Sequence, residues 1–476
     1  MKKSRIRKDN FQLVFRKYFL FFCDILLLGF SLTIYLIFFE PTVNSFSDTA
    51  KANPYWFLVL ILIWIIYSYI FNLYSVVNAS KTDEIIKRTI YVAFFTSITY
   101  LFIPFLSPVF PSHRLPFYFF LLQITLTMSI WHFIFATLFK NPILEKRAII
   151  VGAGWSGREI AKVLLQNEKI YREQAYKIFG FIDDNPQKTG KDYEGLRVFK
   201  NSDELPKYSR RLKLDEIIIA VPYDKSISGK LYNALLLCEQ EYNVATKPVN
   251  ELFEEATGMV MVKQKNNEYY LNYPYPTKRS TDVYTLVNRL VNVVIGLVGV
   301  FVLLLVVPFI WLGNLFFNRG PLFYSQTRVG LKSRDFTIYK LRTMVPNAEK
   351  NTGAVWAQKN DARITTMGKW LRKSRLDELP QFWNILAGEM NLIGPRPERP
   401  EFVEKLLVTI PFYNTRHLVK PGITGWAQVN YKYGNEDLDS LRKLQYDLYY
   451  IKYRSVLLDI ITVLRTFGVV AKFKGM

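Results

Sequence analysis

Cysteine, histidine and acidic residues are all scarce in this chain of 476 residues. Its two cysteines, Cys23 inside an apolar run and Cys238 far from it, form no disulfide framework and no zinc site. The three histidines, His113, His132 and His417, leave little material for imidazole chemistry. Asp and Glu number 40 against 62 Lys and Arg, a net charge of +22. That excess suits nucleic acid, an anionic membrane face or a phosphorylated substrate. No internal repeat or low-complexity segment occurs. What is abundant is apolar surface: 50% of the residues are hydrophobic, and they are bunched. Membrane spans joined to two or three soluble domains are therefore expected, and the membrane reading takes precedence over nucleic acid. The first apolar run is too long for a signal-peptide core, and no small-residue cleavage site follows it.

A basic cluster (Lys2, Lys3, Arg5, Arg7, Lys8) precedes four apolar runs at about 13–39, 55–77, 89–106 and 115–139. Each is long enough to cross a bilayer as a helix of roughly 20 residues. Residues 1–140 are thus expected to form four transmembrane helices, and counting Lys and Arg in the loops puts the N-terminus and everything after residue 140 in the cytoplasm.

Over 141–262 the pattern turns α/β. RAIIV leads into Gly152, Gly154 and Gly157 and then the helical stretch IAKVLL; KIFGFIDDNP and DEIIIAVP follow as further strands. A G-x-G-x-x-G between strand and helix marks a Rossmann-like domain and a candidate nucleotide loop. Trp155 is bulky for a loop that must admit a pyrophosphate, and Asp183 and Asp184 lie about thirty residues on, against the roughly twenty expected of a ribose-binding acid. Tight-turn glycines without a ligand are the alternative.

Residues 263–282 are polar and Tyr-rich and read as a linker. A fifth apolar run, 283–317, is interrupted by Arg289 and Pro308. Lys263, Lys265, Lys278 and Arg279 precede it, and Arg319, Arg328, Lys332, Arg334, Lys340 and Arg342 follow. Basic flanks on both sides put both ends in the cytoplasm. Pro308 removes a helical N–H and bends the run, so a re-entrant membrane helix is expected, with a kinked crossing helix as the alternative. Residues 318–476 are basic, amphipathic and expected to be mainly α-helical; their tail, SVLLDIITVLRTFGVVAKFK, reads as a helix in or against the membrane interface, or packed on its own domain.

Within them, Arg363 to Arg399 carries adjacent carboxylates, Asp377 and Glu378, just before Pro380, with Gly388 closing a short helix. Pro is tolerated in a first helical turn, so the acids are expected at a helix N-terminus, with Leu379, Phe382 and Leu386 on one apolar stripe. Arg372, Lys373 and Arg375 precede them; Arg396 and Arg399 follow. Cations around a helix N-terminus suit a bound diphosphate, and one acid can then attack phosphorus. Alternatively, Asp377 is only an N-cap beside a solvated cationic face.

Five blocks in order, PLFYSQTRVG (321–330), FTIYKLRTM (336–344), RITTMGKWLRKSRLDELPQFWNILAGEMNLIGPRP (363–397), VKPGITGWAQVN (419–430) and KLQYDLYYIKYRSVLLDIITVLRT (443–466), resemble the bacterial sugar transferase family. Its members are monotopic polyprenyl-phosphate hexose-1-phosphate transferases, and the chain looks like their long form. The resemblance implies that Asp377 attacks the β-phosphate of a UDP-hexose, glucose or galactose being expected, and releases UMP. The phosphosugar would then pass to undecaprenyl phosphate, with magnesium, to initiate exopolysaccharide, capsule or O-antigen synthesis. Glu378 would partner Asp377 at the metal, and Lys340, Arg372 and Arg396 would hold phosphates or nucleotide. Asp459 matches a further family acid, with Asp447 as its rival, and Pro308 matches the proline of the re-entrant helix. The long form also implies a homodimer in the bacterial inner membrane, its catalytic domain on the cytoplasmic face and no nucleic-acid partner. After WAQVN, Tyr431 and Lys432 replace the small residue and Arg of many relatives, which leaves the substrate subgroup open. Two other readings remain. One is a membrane-tethered NAD-dependent oxidoreductase or dehydratase using Gly152, Gly154 and Gly157, although no convincing Tyr-x-x-x-Lys accompanies them. The other is an inactive nucleotide-sensing scaffold, against which the intact Asp377–Glu378 pair argues.

Overall fold

A computed structural model describes residues 2–39, 53–71, 73–74, 82–103, 107–108, 114–138, 146–165, 176–200, 202–221, 228–262, 282–346, 348, 361–410, 412–431 and 437–471. The expected linker, all but its last residue, lies outside the described residues, as do Lys263, Lys265, Lys278, Arg279, His113 and Lys432. The chain forms two compact units, Met1–Val221 with Lys225–Val249, and Asn250–Met476 with Pro222–Asp224.

The first unit opens with helices α1 (Lys2–Phe39), α2 (Pro54–Ile70), α3 (Thr82–Leu101) and α4 (Arg114–Leu138). Tyr18–Phe39 and Arg114–Leu138 are long and apolar enough to cross a membrane, while α2 is apolar but shorter, at 17 residues. Four-residue spacing puts Leu28, Leu32 and Leu36 of α1 and Phe120, Ile124 and Met128 of α4 into one core. Inside that core sits a carboxylate. Asp24 is fully buried and accepts hydrogen bonds from Trp64 Nε1 (3.3 Å), Tyr74 Oη (2.7 Å) and Trp131 Nε1 (3.0 Å), with His132 Nε2 also at 3.0 Å. His132 Nδ1 in turn faces Thr89 Oγ1 at 2.5 Å.

The α/β part follows in the same unit: β1 (Lys146–Val151), α5 (Trp155–Leu165), β2 (Tyr176–Ile182), β3 (Asp192–Tyr193), β4 (Leu196–Phe199), α6 (Leu205–Leu212), β5 (Glu216–Ile219), α7 (Gly229–Tyr242) and β6 (Ala245–Pro248). The strands form one sheet in the order β3-β4-β2-β1-β5-β6, all pairs parallel except the β3/β4 hairpin. Strand order reverses beside β1, where the glycine loop sits, as in doubly wound dinucleotide-binding sheets. Gly152 needs its positive φ of +105°, and a Cβ at Gly157 would lie 2.0 Å from the Gly152 carbonyl oxygen, so both glycines are steric necessities of this turn. Asp183 ends β2 and accepts from Ala153 N of that loop at 2.9 Å; the acid counted as too far along the chain is therefore in contact with the loop.

The second unit begins earlier than the sequence boundary at 262. In it, α8 (Val249–Thr257) and the residues after it pack on the C-terminal helices: Trp426 Nε1 donates to the Gly258 carbonyl (2.9 Å) and Lys452 Nζ to Glu254 (2.8 Å). Next comes α9 (Asp282–Phe317), 36 residues or about 54 Å at 1.5 Å per residue, continuous through Pro308. After it come β7 (Phe323–Val329), β8 (Asp335–Leu341), α10 (Thr366–Ser374), α11 (Gln381–Ala387), β9 (Asn391–Ile393), α12 (Pro400–Thr409), β10 (Gly422–Thr424), α13 (Trp426–Asn430), α14 (Asp437–Tyr453) and α15 (Val456–Ala471).

Both ends of α9 pack on this unit. Near its midpoint, Gly296 and Gly299 form a notch for Leu386 and Phe382 of α11; a Cβ at Gly299 would meet the Phe382 ring at 2.2 Å. Arg289, which looked like an interruption of an apolar run, donates to the Ile385 and Leu386 carbonyls (3.1 and 3.0 Å) in the last turn of α11, where a cation is favoured. Towards its end, Ile310 is buried with Leu341 and Leu371, and Asn314 donates to the Gly320 carbonyl (2.9 Å). Arg342, expected in a solvated flank, is buried there and donates to the Pro321 carbonyl (2.6 Å). Between the two contacts the helix is bare: Phe301, Leu304 and Phe309 are 62%, 66% and 77% exposed.

Candidate active site

The dyad sits where three chain segments converge on β8. Helix α10, capped by Thr365 Oγ1 accepting from Gly368 N (3.0 Å), ends at Arg375, which adopts a left-handed conformation (φ +61°). The chain then enters a tight 3₁₀ turn, Leu376–Glu378, closed by Leu379 N donating to the Leu376 carbonyl at 3.2 Å. Here the structure corrects the expected geometry. The acids precede α11 and lie in the turn before it, with Pro380 as the N-cap. Proline has no N–H to offer, so the segment tightens into i→i+3 bonds before the regular helix starts. Gly388, at φ +81°, does close α11, and Phe382 and Leu386 are the apolar face.

Asp377 and Glu378 are both buried, each 8% exposed. Glu378 is held from three sides. Arg396 Nη2 donates to its Oε1 at 3.0 Å, Lys340 Nζ of β8 lies 3.5 Å from the same oxygen, and Arg375 Nη1 is 3.7 Å from Oε2. Burial opposes ionisation of Glu378, yet these cations outweigh it and keep its pKa below the usual carboxylate range. Asp377 goes the other way: burial first, then the neighbouring Glu378 charge, push its pKa up, against the pull of Lys340, Arg372 and Arg375. Its Oδ1 is buried and has no hydrogen-bond partner among the described residues. Arg372 is steered by its Nε donating to Thr343 Oγ1 at 2.8 Å. The site therefore pairs one carboxylate held by three cations with one buried carboxylate oxygen that has no partner among the described residues, inside an excess of positive charge.

A model of the bacterial sugar transferase family matches residues 283–473, and one of a CoA-binding domain matches 69–227. A putative undecaprenyl-phosphate N-acetylgalactosaminyl 1-phosphate transferase of Bacillus subtilis (strain 168) is 40% identical over 144 residues, 30% of this chain and 80% of that protein. The chain belongs to the bacterial sugar transferase family. Two larger relatives extend the comparison. The UDP-N-acetylgalactosamine-undecaprenyl-phosphate N-acetylgalactosaminephosphotransferase of Aeromonas hydrophila is 50% identical over 149 residues, 31% of this chain and 35% of that protein. The UDP-glucose:undecaprenyl-phosphate glucose-1-phosphate transferase of Xanthomonas campestris pv. campestris is 34% identical over 284 residues, 58% of this chain and 57% of that one. The matches thus span less than two thirds of these two relatives.

The structure brings five of the site residues expected from sequence into one cluster. Lys340, Arg372, Asp377, Glu378 and Arg396 come together. Asp459 does not join them through any of its hydrogen bonds: it accepts from Tyr284 of α9 (2.8 Å) and Tyr450 of α14 (2.9 Å), tying helices together. Its rival Asp447 is buried and accepts from Arg416 (3.0 Å), whose Nη2 also donates to the Arg396 carbonyl (2.9 Å), so Asp447 supports Arg396 from behind. Three residues were not assigned from sequence: Arg375, which reaches Glu378 from its left-handed position; Arg328, whose charge acts on Lys340 and Arg396; and Gln381. The signal for Arg375 was its place in the cation run; nothing in spacing alone separates it from Lys373. Among the described residues no cluster of three or more His, Cys, Asp and Glu could hold a metal. Magnesium is usually content with one or two carboxylates plus substrate phosphates, and the dyad with its open Asp377 oxygen fits that donor set.

Proposed function

We propose that this protein transfers a hexose-1-phosphate from a UDP-hexose, glucose or galactose, to undecaprenyl phosphate, releasing UMP and initiating exopolysaccharide, capsule or O-antigen synthesis. The observation that carries this reading is the buried Asp377 Oδ1, without a hydrogen-bond partner among the described residues, in the field of Lys340, Arg372 and Arg375. In the first step that oxygen attacks the β-phosphorus. The bond from phosphorus to the bridging oxygen breaks, and UMP leaves with the electron pair. An aspartyl phosphosugar remains. An oxygen of the lipid phosphate then attacks the same phosphorus and returns the carboxylate. Carboxylate and diphosphate repel each other, and Lys340, Arg372 and Arg396 cancel that repulsion in a poorly hydrated site. Glu378, gripped by its cations, orders them. Magnesium would be held by the dyad and the substrate's phosphates, and when bound it neutralises phosphate charge.

A second sugar is favoured by one finding: the matched part of the Aeromonas relative, 50% identical, belongs to an enzyme named for N-acetylgalactosamine. The membrane arrangement belongs to the same proposal: four N-terminal spans, and α9 as a re-entrant helix in the bacterial inner membrane. Its first half, from Tyr284 to Gly299, and its end at Asn314 pack on one domain, which cannot lie on both sides of a bilayer, while Phe301, Leu304 and Phe309 offer apolar surface to lipid. The catalytic unit then faces the cytoplasm, and the enzyme is a homodimer. UMP release measured across UDP-glucose, UDP-galactose and their N-acetylated forms, with undecaprenyl phosphate present, tests the reading; no release with any of them overturns it. Cysteines placed near residues 280 and 325 should both label only from the cytoplasmic side; outside labelling of the second removes the re-entrant helix.

A further inference from the structure

We infer that Gln381 is a further catalytic residue, its carboxamide N–H donating to a non-bridging oxygen of the phosphoryl group that Asp377 attacks; this rests on the transfer reading above. The backbone is helical from the 3₁₀ turn onwards, through Leu379 (φ −55°, ψ −39°) and Pro380 (φ −60°, ψ −20°) into α11. In a segment bonded i→i+3, residues three apart share a face, so Gln381 stands one turn beyond Glu378, on the dyad's side. The face is directed at β8, the strand that carries Lys340: three residues further on, Asn384 donates to the Thr337 carbonyl (2.7 Å). The opposite face is occupied by the contacts of Phe382 and Leu386 with α9.

Gln381 is only 4% exposed, and its Nε2 is buried without a hydrogen-bond partner among the described residues. Asn384 shows that this face does satisfy its amides where they are structural: its Nδ2 also donates to Glu389 at 2.7 Å, and its Oδ1 accepts from Tyr339 N at 3.4 Å. An unpaired buried amide next to a paired one calls for an explanation. One helical turn away lies Asp377 Oδ1, equally buried and equally unpaired. One atom is a donor and the other an acceptor, yet they do not bond to each other. The group that completes both must offer an electrophilic centre to the carboxylate and lone pairs to the amide. A phosphoryl group offers both; a bare cation satisfies the carboxylate and is repelled by the N–H. The division of labour with the cations follows from physics. Lys340, Arg372 and Arg396 attract a diphosphate whether or not it is reacting, whereas a fixed, neutral N–H acts on the one oxygen it points at, and so adds to the rate more than to binding.

The test uses the full-length chain in detergent with UDP-sugar, following UMP release in the first turnover without lipid and in steady state with undecaprenyl phosphate. Gln381→Met keeps length and removes the donor. The expected result is a first-turnover rate lower by about 10²- to 10³-fold, with KM for the UDP-sugar changed less than about threefold. Its melting temperature should be unchanged or higher, because an unpaired buried amide has gone. Gln381→Glu keeps the shape, replaces the donor with charge, and should be slower still; it carries the test should the Met variant fail to fold. Either variant running within about threefold of the parent, or a rate loss that follows a fall in melting temperature, overturns the role of Gln381. Asp377→Asn, run alongside, separates the two levels. If it keeps its lipid-free UMP burst, the attack by Asp377 on which this inference rests fails; if it is dead while Gln381→Met is as fast as the parent, only Gln381 loses its role.

Discussion

Two buried aspartates, one in each compact unit, show how differently a protein can treat the same functional group. Asp24 sits among the N-terminal helices with its acceptor capacity filled by Trp64, Tyr74, Trp131 and His132. A carboxylate has about four good acceptor positions, so this one has nothing left to offer a ligand. Asp377 is nearly as buried, yet its Oδ1 has no hydrogen-bond partner among the described residues, and Lys340 and Arg396 lean on Glu378 instead. The first arrangement satisfies a charge locally and fixes helices against one another. The second keeps a charge costly and available. Burial by itself therefore says little about function; under the transfer proposed above, the hydrogen-bond count of the buried group is what separates a joint from a reagent.

The sharpest break of this contrast is at Asp377. Asp377→Asn keeps shape and removes the anionic oxygen, so turnover and the lipid-free release of UMP should fall by about 10³-fold or more with an unchanged melting temperature. Survival of the UMP burst would make Asp377 a joint as well. The matching change, Asp24→Asn, should do the opposite. It puts an N–H where four donors converge, at a cost of about 3–5 kcal/mol in the stability of the helix unit, while kcat per folded molecule changes by less than about twofold. A loss of kcat without a loss of melting temperature would give the helix bundle a direct share in the chemistry.

A smaller effect asks how firmly the open site is held. Gly299→Ala would force its new methyl against the Phe382 ring, 2.2 Å away, and shift the segment that carries the dyad. The expected cost is about 1–3 kcal/mol, with a fall in kcat at temperatures where the protein is still folded. Thermal melts and rates measured together check it; lost stability with an intact kcat would show that the seam matters for folding only. The smallest change is Arg375→Gly. Glycine suits the left-handed backbone better, by about 1 kcal/mol, so the melting temperature should rise slightly. Glu378 Oε2 loses its cation, and KM for the UDP-sugar should rise about threefold.

Much of this could be read from the chain. The dyad, its flanking cations, the Gly388 stop and the Phe382/Leu386 stripe are local patterns, and local patterns survive folding. The parallel sheet around Gly152 and Gly157 was legible for the same reason, since strand, glycine turn and helix are contiguous. What escaped were partners far apart in sequence. Asp24 and His132 are 108 residues apart, so neither looks special alone. Arg289 read as a blemish in an apolar helix because the carbonyls it serves lie 96 and 97 residues later. Asp459 shows in sequence only its match to a further family acid, because its tyrosine partners come from two other helices. The 3₁₀ turn was missed for a different reason: periodicity places side chains on a face but does not distinguish an i→i+3 from an i→i+4 bond over three residues.

The glycine notch on α9 also sets an order in time. Gly296 is synthesised 90 residues before Leu386, the side chain that fills its notch (386 minus 296). At roughly 5–20 residues per second, the notch stands open for on the order of 5–18 s during translation. Through that interval α9 has no partner for one flank, and when α11 does emerge its apolar face has a single ready-made place to go. The long helix is thus a template laid down first, onto which the dyad is later set. A catalytic fragment made without α9 would leave Phe382 and Leu386 facing water, and aggregation of that fragment, relieved when α9 is restored in the same chain, is the behaviour this sequence of events requires.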